Sequence, residues 1–151
     1  MLGPMTLMDA APPDLTRERR RRIIILTVVT CVVLLIGLGW FFRYWPEEHV
    51  ADKFFDALKR QDYETAYGIY FQDPAWKQHP QQHSNYPYNE FYTDWGPGGE
   101  WGLVKTFKIE ASGNCPRAGS GVVVQLIVNG RSERARVYVD KSDKTISSPP
   151  C

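Results

Sequence analysis

The amino-acid sequence predicts an α+β domain attached to a single transmembrane helix. One long run of residues without charge lies near the N-terminus of the 151-residue chain. Apolar residues then recur at helical spacing, and after a glycine-rich segment they alternate on either side of a hairpin signal. Helices followed by antiparallel strands indicate about three helices packed on one side of a curved antiparallel sheet.

The apolar run covers residues 23–42 and reads IIILTVVTCVVLLIGLGWFF. A helix of twenty residues is about 30 Å long, which matches the hydrocarbon thickness of a bilayer. The run is apolar on all sides, whereas a core helix of a soluble domain has one apolar face. No small-x-small cleavage site follows it closely, which argues against a cleaved signal peptide. We therefore predict an uncleaved signal anchor.

The residues on either side of this run predict its orientation. Five Arg precede the run, and only Arg43 follows it closely. Short segments rich in Arg stay in the cytoplasm, and Trp prefers the interface between lipid and water, so the N-terminus is expected inside. The residues assigned to anchoring the span in the lipid bilayer are Arg19, Arg20, Arg21, Arg22, Trp40 and Trp45.

These features divide the chain into a cytoplasmic Arg-rich tail (1–22), the transmembrane helix (23–42) and an extracytoplasmic α+β domain (43–151). The expected location is the inner (plasma) membrane, with the domain in the periplasm or outside the cell. The formal net charge is only +1 and the positive charge is concentrated in the tail, so no nucleic-acid partner is predicted. Aromatic residues make up 13% of the chain, which indicates a folded domain.

Three helices are predicted at the start of this domain. Pro46, followed by two Glu, suits the first turn of one helix. Asp62 can cap a second helix that continues through Tyr70. A polar, proline-punctuated loop follows, and Tyr88 to Trp95 forms a third helix that ends at a glycine cluster.

Alternating apolar residues predict the strands. Trp101 to Ala111 reads as one strand, and the segments Gly121 to Val128 and Arg131 to Lys141 flank Asn129-Gly130. This dipeptide is the strongest short-range signal for a hairpin. The sequence therefore predicts an antiparallel hairpin with a two-residue turn.

A two-residue turn would place Val124 opposite Ala135 and give the hairpin two different faces. The face that contains Val124 is apolar and is assigned to the core. The other face mixes apolar area with guanidinium groups, so either the helices or a protein partner is expected to cover it. The candidate partner contacts on this face are Val123, Ile127, Arg134 and Arg136.

The stretch VADKFFDALKRQDYETAYGIY (Val50–Tyr70) resembles the opening helices of the nuclear transport factor 2-like superfamily. The later aromatic helix and the long hairpin are also similar to that cone-shaped fold. The resemblance implies a cone-like domain over about 100 residues. Families that join a cytoplasmic tail, one span and a domain of this fold include inner-membrane assembly proteins of type IV secretion and accessory proteins of lipid-import systems.

The three cysteines lie in different environments. Cys31 falls within the predicted span and is interpreted as a small apolar residue. Cys115 and Cys151 lie in the exported part, where thiols tend to pair. A disulfide between them would attach the polar C-terminal tail to the sheet. Two free thiols, or a bond to another chain, are the alternatives.

The sequence contains no complete metal or catalytic motif. His79 and His83 have the spacing of ligands on one helix face, but Pro80 interrupts a helix and no carboxylate or Cys is adjacent to complete a site. We therefore predict no metal, no cofactor and no catalytic residues. Enzymes of the resembled superfamily set side chains inside the cone, and the residues that could line such a pocket here are Tyr63, Tyr67, Tyr92, Asp94 and Trp95.

Two functions follow from these observations. The segment from Trp95 to Trp101 brackets a glycine-rich turn with two indoles, which suits either a protein contact or the end of the core. The favoured hypothesis is a non-enzymatic, membrane-anchored accessory or assembly subunit whose exported domain binds a protein in a membrane complex or a second copy of itself. The alternative is a small-ligand-binding domain or an enzyme that uses the interior of the cone.

Overall fold

A computed structural model of the chain describes residues 15–116 and 119–151. The chain divides into two compact units, one that ends at Phe42 and one that extends from Arg43 to Cys151. Each unit is described by itself.

The first unit consists of helix α1, Leu15–Phe41. None of its residues is buried, and by length and composition the helix is able to cross a membrane. The Thr27 and Thr30 hydroxyls donate to carbonyls four residues earlier, at 2.9 and 2.8 Å. The polar groups of both threonines are therefore satisfied within the helix, as a lipid environment requires. The Cys31 thiol is free and exposed.

The second unit begins with three helices: α2 (Trp45–Lys59), α3 (Tyr63–Phe71) and α4 (Tyr88–Trp95). The predicted cap of α3 is confirmed, because Asp62 Oδ1 accepts the backbone N–H of Thr65 at 3.1 Å. The predicted bounds of α4 are also confirmed.

Four antiparallel strands form an open sheet in the order β1-β2-β3-β4. The strands are β1 (Phe107–Asn114), β2 (Val122–Val128), β3 (Arg134–Val139) and β4 (Ile146–Ser147). The predicted α+β class is confirmed at this level. The sequence did not predict β4, which has only two residues and so leaves almost no periodicity to detect.

The predicted turn at Asn129-Gly130 forms, but the connection between the paired strands is longer than two residues, because the ladder begins at Ile127 and Arg134. Asn129 and Gly130 both have positive φ, 52° and 68°, a conformation that Asn and Gly adopt more readily than other residues. The Arg131 N–H donates to the Val128 carbonyl at 3.0 Å, which closes a two-residue turn.

The register of the hairpin, however, differs from the prediction. Val124 was expected opposite Ala135, and this is wrong, because it lies opposite Val137. The residues just after the turn stay outside the ladder, and one of them, Arg131, instead donates to the Glu100 carbonyl at 2.8 Å. A shift of two positions keeps every side chain on its predicted face.

The side chain of Asn129 explains why β1 begins at Phe107 and not at Trp101. Its Oδ1 accepts the backbone N–H groups of Lys105 and Thr106, at 2.7 and 3.2 Å. Its Nδ2 donates to the Leu103 carbonyl at 2.8 Å. The segment before β1 is therefore bound to the hairpin turn mainly through this side chain, and the Asn129 N–H adds one backbone hydrogen bond to the Thr106 carbonyl at 2.8 Å.

The hydrophobic core lies between the three helices and one face of the sheet. Helix α2 packs against β1, β2 and β3. The sheet face that contains Val124 is buried, so the predicted core face is correct and the helices do not cover the opposite, outer face. Side chains with no exposed surface fill this interior, among them Phe54, Phe55, Phe91 and Leu126.

Among the described residues, Glu47 is the buried charged residue of the core. Its Oε1 accepts from Lys144 Nζ at 2.6 Å, which joins the start of α2 to the turn between β3 and β4. Its Oε2 is buried and has no hydrogen-bond partner within the described parts of the chain. The ion pair with Lys144 is therefore what offsets the desolvation of this carboxylate.

Candidate functional site

An open cleft of about 740 Å³ lies where α4, the glycine-rich loop after it, the start of β3 and the C-terminal tail meet. We call it the Trp–Arg cleft. It is the candidate site, because it joins aromatic and charged side chains from four separate parts of the domain. The residues that define it are Asp94, Trp95, Glu100, Trp101, Glu133, Arg134 and Arg136.

Two indoles form the apolar wall of the Trp–Arg cleft. Trp95 is partly buried, and its ring meets that of Phe54 edge to face with centroids 5.0 Å apart. Trp101 is 7% exposed, and the Arg131 guanidinium lies 5.8 Å from its ring centroid. Each tryptophan therefore contributes to the core and also borders the cleft.

Asp94 of helix α4 and Tyr86, which lies just before this helix, supply a polar pair to the cleft. The Tyr86 hydroxyl donates to Asp94 Oδ2 at 2.7 Å. Burial, and then the hydrogen bond to Asp94, raise the pKa of Tyr86, so the phenol stays protonated. Gly99 follows closely, and a Cβ at this position would lie 1.9 Å from the Asp94 carbonyl oxygen. Only glycine allows the loop to approach the end of α4 this tightly.

The two arginines of the cleft differ in their contacts. The Arg134 guanidinium forms a two-pronged ion pair with Glu110 of β1, and Nη2 lies 2.9 Å from Oε1. The hydrogen bond from Arg134 holds the pKa of Glu110 below its ordinary value. Arg136 is exposed and makes no hydrogen bond or ion pair with any residue that the structure describes. Its charge is therefore available to a partner.

Two carboxylates of the cleft are also available. Glu100 and Glu133 are exposed, and neither carboxylate has an ion-pair partner within residues 15–116 and 119–151. Asp94 adds a third negative charge, although it already accepts from Tyr86. Since Arg134 is neutralised by Glu110, the three carboxylates outnumber the two remaining guanidinium groups, Arg131 against Trp101 and Arg136, so the charge around the cleft is net negative.

The structure brings together four of the six residues predicted as partner contacts, namely Trp95, Trp101, Arg134 and Arg136. They were predicted as two separate surfaces. Ile127 is half-buried on the outer face of β2, and Val123 is 8% exposed. Val123 packs with Cys115 and Tyr138 in a small buried cluster, so little of its side chain is accessible to a partner.

We compared the chain with family models, curated proteins and solved structures. None of the three comparisons found a match.

The predicted disulfide is present. Cys115 and Cys151 are joined, with their Cα atoms 6.0 Å apart. Cys151 lies beside Val123 and Arg136 on the outer face of the sheet. The bond therefore holds the end of the C-terminal tail on the outer face of the sheet.

A second polar cluster lies in the loop between α3 and α4. Asp73 Oδ2 lies 2.9 Å from His79 Nδ1 and 3.0 Å from His83 Nε2. No carboxylate was expected near the two histidines, and this expectation is wrong, because the loop folds back and brings Asp73 to both rings. Hydrogen bonds from His83 and then His79 lower the pKa of Asp73. Among the described residues, no group of three His, Cys, Asp or Glu side chains could hold a metal ion.

The residues proposed for a catalytic pocket do not share one site. Tyr63 is buried in the core, and Tyr67 is buried with its hydroxyl donating to the Tyr86 carbonyl at 2.7 Å. Tyr92 is exposed and its ring meets that of Tyr63. Asp94 and Trp95 alone of this set border the Trp–Arg cleft.

Proposed function

We propose that this protein is a membrane-anchored accessory or assembly subunit whose exported domain binds a protein partner through the Trp–Arg cleft. One observation carries the proposal: the cleft joins two indoles with the unpaired charges of Glu100, Glu133 and Arg136. Aromatic residues and arginine are enriched in protein interfaces. Unpaired charges at the rim of an interface determine specificity, because they favour a partner with complementary charges. Buried rings fill the space between helices and sheet, so binding is assigned to this open cleft.

The proposed location rests on the first unit and on the disulfide. Helix α1 is long and apolar enough to span a bilayer, and a disulfide is typical of an oxidising compartment. Together with the Arg-rich flank, these features favour a cytoplasmic N-terminus and an exported domain. A reporter enzyme that is active only outside the cytoplasm, fused after Cys151, is expected to work. Activity of a reporter that needs the cytoplasm would contradict this orientation.

We also propose a cone-like domain of the nuclear transport factor 2-like kind. Three helices precede the sheet, and α2 lies against three of its strands. The bulge between Ile109 and Ala111 supports curvature, because a bulge bends the strand that contains it. An experimental structure with a flat sheet would contradict this part of the proposal.

Charge reversal at the cleft tests the function. The full-length tagged chain would be purified from its native membrane in mild detergent, and the co-purifying proteins would be quantified. We expect Glu133→Arg to reduce a specific partner at least tenfold and Arg136→Glu to change the recovered amount of the same partner, since both side chains are exposed and unpaired. The matched controls, Lys53→Glu and Asp52→Arg, make the same kinds of charge reversal at exposed positions of α2 outside the cleft.

The comparison between cleft and control variants decides the result. All four chains should reach the membrane and keep the same thermal unfolding temperature, because surface changes rarely alter stability by more than about 0.5 kcal/mol. If the same proteins co-purify with the cleft variants as with the controls, the partner does not bind at the cleft and the proposal is wrong.

A further inference from the structure

We propose that the free edge of β3, beside the Trp–Arg cleft, binds an extended basic segment of a partner protein, which adds a strand to the sheet. This inference rests on the proposed function and names the chemistry of the partner. Strand addition uses backbone hydrogen bonds for affinity and alternate side chains for specificity.

The edge of β3 is open over most of its length. Residues 134–137 pair with β2 and, within the described chain, with no strand on the other side. The Asp140 N–H donates to the Thr145 carbonyl at 3.0 Å, so its backbone faces β4. Backbone groups two residues apart point the same way along a strand. The N–H and C=O groups of Arg134 and Arg136 therefore point out of the free edge.

The chain's own tail does not fill this edge. Ser147 lies opposite Tyr138, so continuing the same register would place Pro149 opposite Arg136. Proline has no N–H to donate to the Arg136 carbonyl, so the strand ends there. The disulfide also holds Cys151 on the outer face of the sheet. Ser148 and Pro149 border the cleft, but within the described chain the tail makes no backbone hydrogen bond to Arg134 or Arg136, so those backbone groups are open to another chain.

The opposite edge of the sheet is less suited to a new strand. The ladder of β1 is irregular between Ile109 and Ala111. Bulges interrupt the regular spacing of donors and acceptors and are a common protection of edge strands. The edge of β3 has no such irregularity in its pairing with β2 and borders a cleft.

The side chains around the cleft indicate which strand fits. Every second side chain of an added strand would face the cleft. There it would meet the carboxylates of Asp94, Glu100 and Glu133 and the indoles of Trp95 and Trp101. Lys and Arg suit both, because their aliphatic stems cover aromatic rings while their charged ends reach carboxylates. The partner strand is therefore basic at alternate positions.

Synthetic peptides on the unmodified full chain in detergent micelles test this directly. The first probe is a hexapeptide with blocked ends in which Lys alternates with Thr, and binding is read from NMR shifts of the Arg134 and Arg136 amides. Two further probes carry N-methyl groups on all Lys or on all Thr residues. In a paired strand only one of these sets faces β3, so one probe should bind at least tenfold more weakly while the other binds unchanged.

Two further comparisons use charge and the protein backbone. A peptide that alternates Glu with Thr should not bind, because the charge around the cleft is net negative. Arg136→Pro removes an N–H that faces the free edge and leaves the ladder to β2 intact, so it should weaken the Lys probe about fivefold. The N-methyl probes do not depend on this variant being folded.

The outcomes separate the inference from the proposed function. If both N-methylated peptides bind equally well, or if the Glu peptide binds as well as the Lys peptide, the strand proposal is wrong. Loss of the co-purified partner on charge reversal would then still support binding at the cleft through side chains. A concentration-dependent dimer that Arg136→Pro abolishes would assign the edge to a second copy of the chain and overturn the basic partner strand.

Discussion

Removing the disulfide should cost this domain a large part of its stability. The bond joins Cys115 to Cys151 across a sequence separation of 36 residues. The chain-entropy relation for a closed loop of this length gives about 3.8 kcal/mol at 25 °C. Domains of this size have a total free energy of unfolding of about 5–15 kcal/mol. The double variant Cys115→Ser, Cys151→Ser is therefore expected to stay folded, but with a much smaller free energy of unfolding.

Loss of packing on the outer face should add to this effect. Cys115 forms a small buried cluster with Val123 and Tyr138. The Tyr138 hydroxyl also accepts the Gly121 N–H at 2.7 Å. Without the bond the tail is free to leave the outer face, so the amide of Gly121 should exchange with solvent faster in the double variant than in the unmodified chain.

Urea unfolding of the full chain in detergent micelles, followed by tryptophan fluorescence, measures the change. Cys31→Ser is the control, because this thiol is free and exposed on α1 and its loss should leave the free energy of unfolding unchanged. A double variant within about 1 kcal/mol of the unmodified chain would refute the reasoning, since loop closure alone predicts about four times that loss. Non-reducing peptide mapping of protein from its native membrane checks that the bond is present.

Two other predictions concern the polar clusters. Lys144→Met should lower the free energy of unfolding by about 2 kcal/mol, because it leaves the 4%-exposed Glu47 side chain without its partner. The double variant Lys144→Met, Glu47→Met should recover most of the lost free energy of unfolding in the same urea assay. Asp73 has a lowered pKa in the folded state, so its stabilising effect is present above its ordinary value of 3.8 and is lost as the pH falls below it. Asp73→Asn should therefore flatten the decrease in unfolding free energy between about pH 4 and pH 2, and an unchanged slope would contradict the role of the hydrogen bonds from His83.

Local signals in the sequence predicted the helices well. Asp62 at the start of α3 and the glycine cluster after Trp95 are capping and stop signals that act within one helical turn. The Asn129-Gly130 turn also formed, because positive φ at both positions is an intrinsic preference of these residues. Structure that depends on a few neighbouring residues can therefore be predicted from a single sequence.

Features that depend on distant segments were not predicted. The hairpin register moved because Arg131 bonds to the Glu100 carbonyl and leaves the ladder. The carboxylate partner of the two histidines, Asp73, comes close only because the loop after α3 turns back on itself. The tryptophan and arginine surfaces were identified separately, and they converge in one cleft because the fold brings the end of α4, the loop after it and the start of β3 to the same place.

The proposed membrane anchor would strengthen binding at the proposed strand edge. Arg134 and Arg136 together offer two N–H donors and two carbonyl acceptors to an added strand. At about 0.5–1.5 kcal/mol net for each hydrogen bond, these contribute about 2–6 kcal/mol, which is close to the lower estimates for the entropic cost of association. A short free peptide should therefore bind weakly. A partner anchored in the same membrane has a much higher effective concentration, so the same few hydrogen bonds suffice. On this reasoning, releasing the domain from α1 should weaken its association with a membrane-bound partner far more than its affinity for the Lys–Thr peptide.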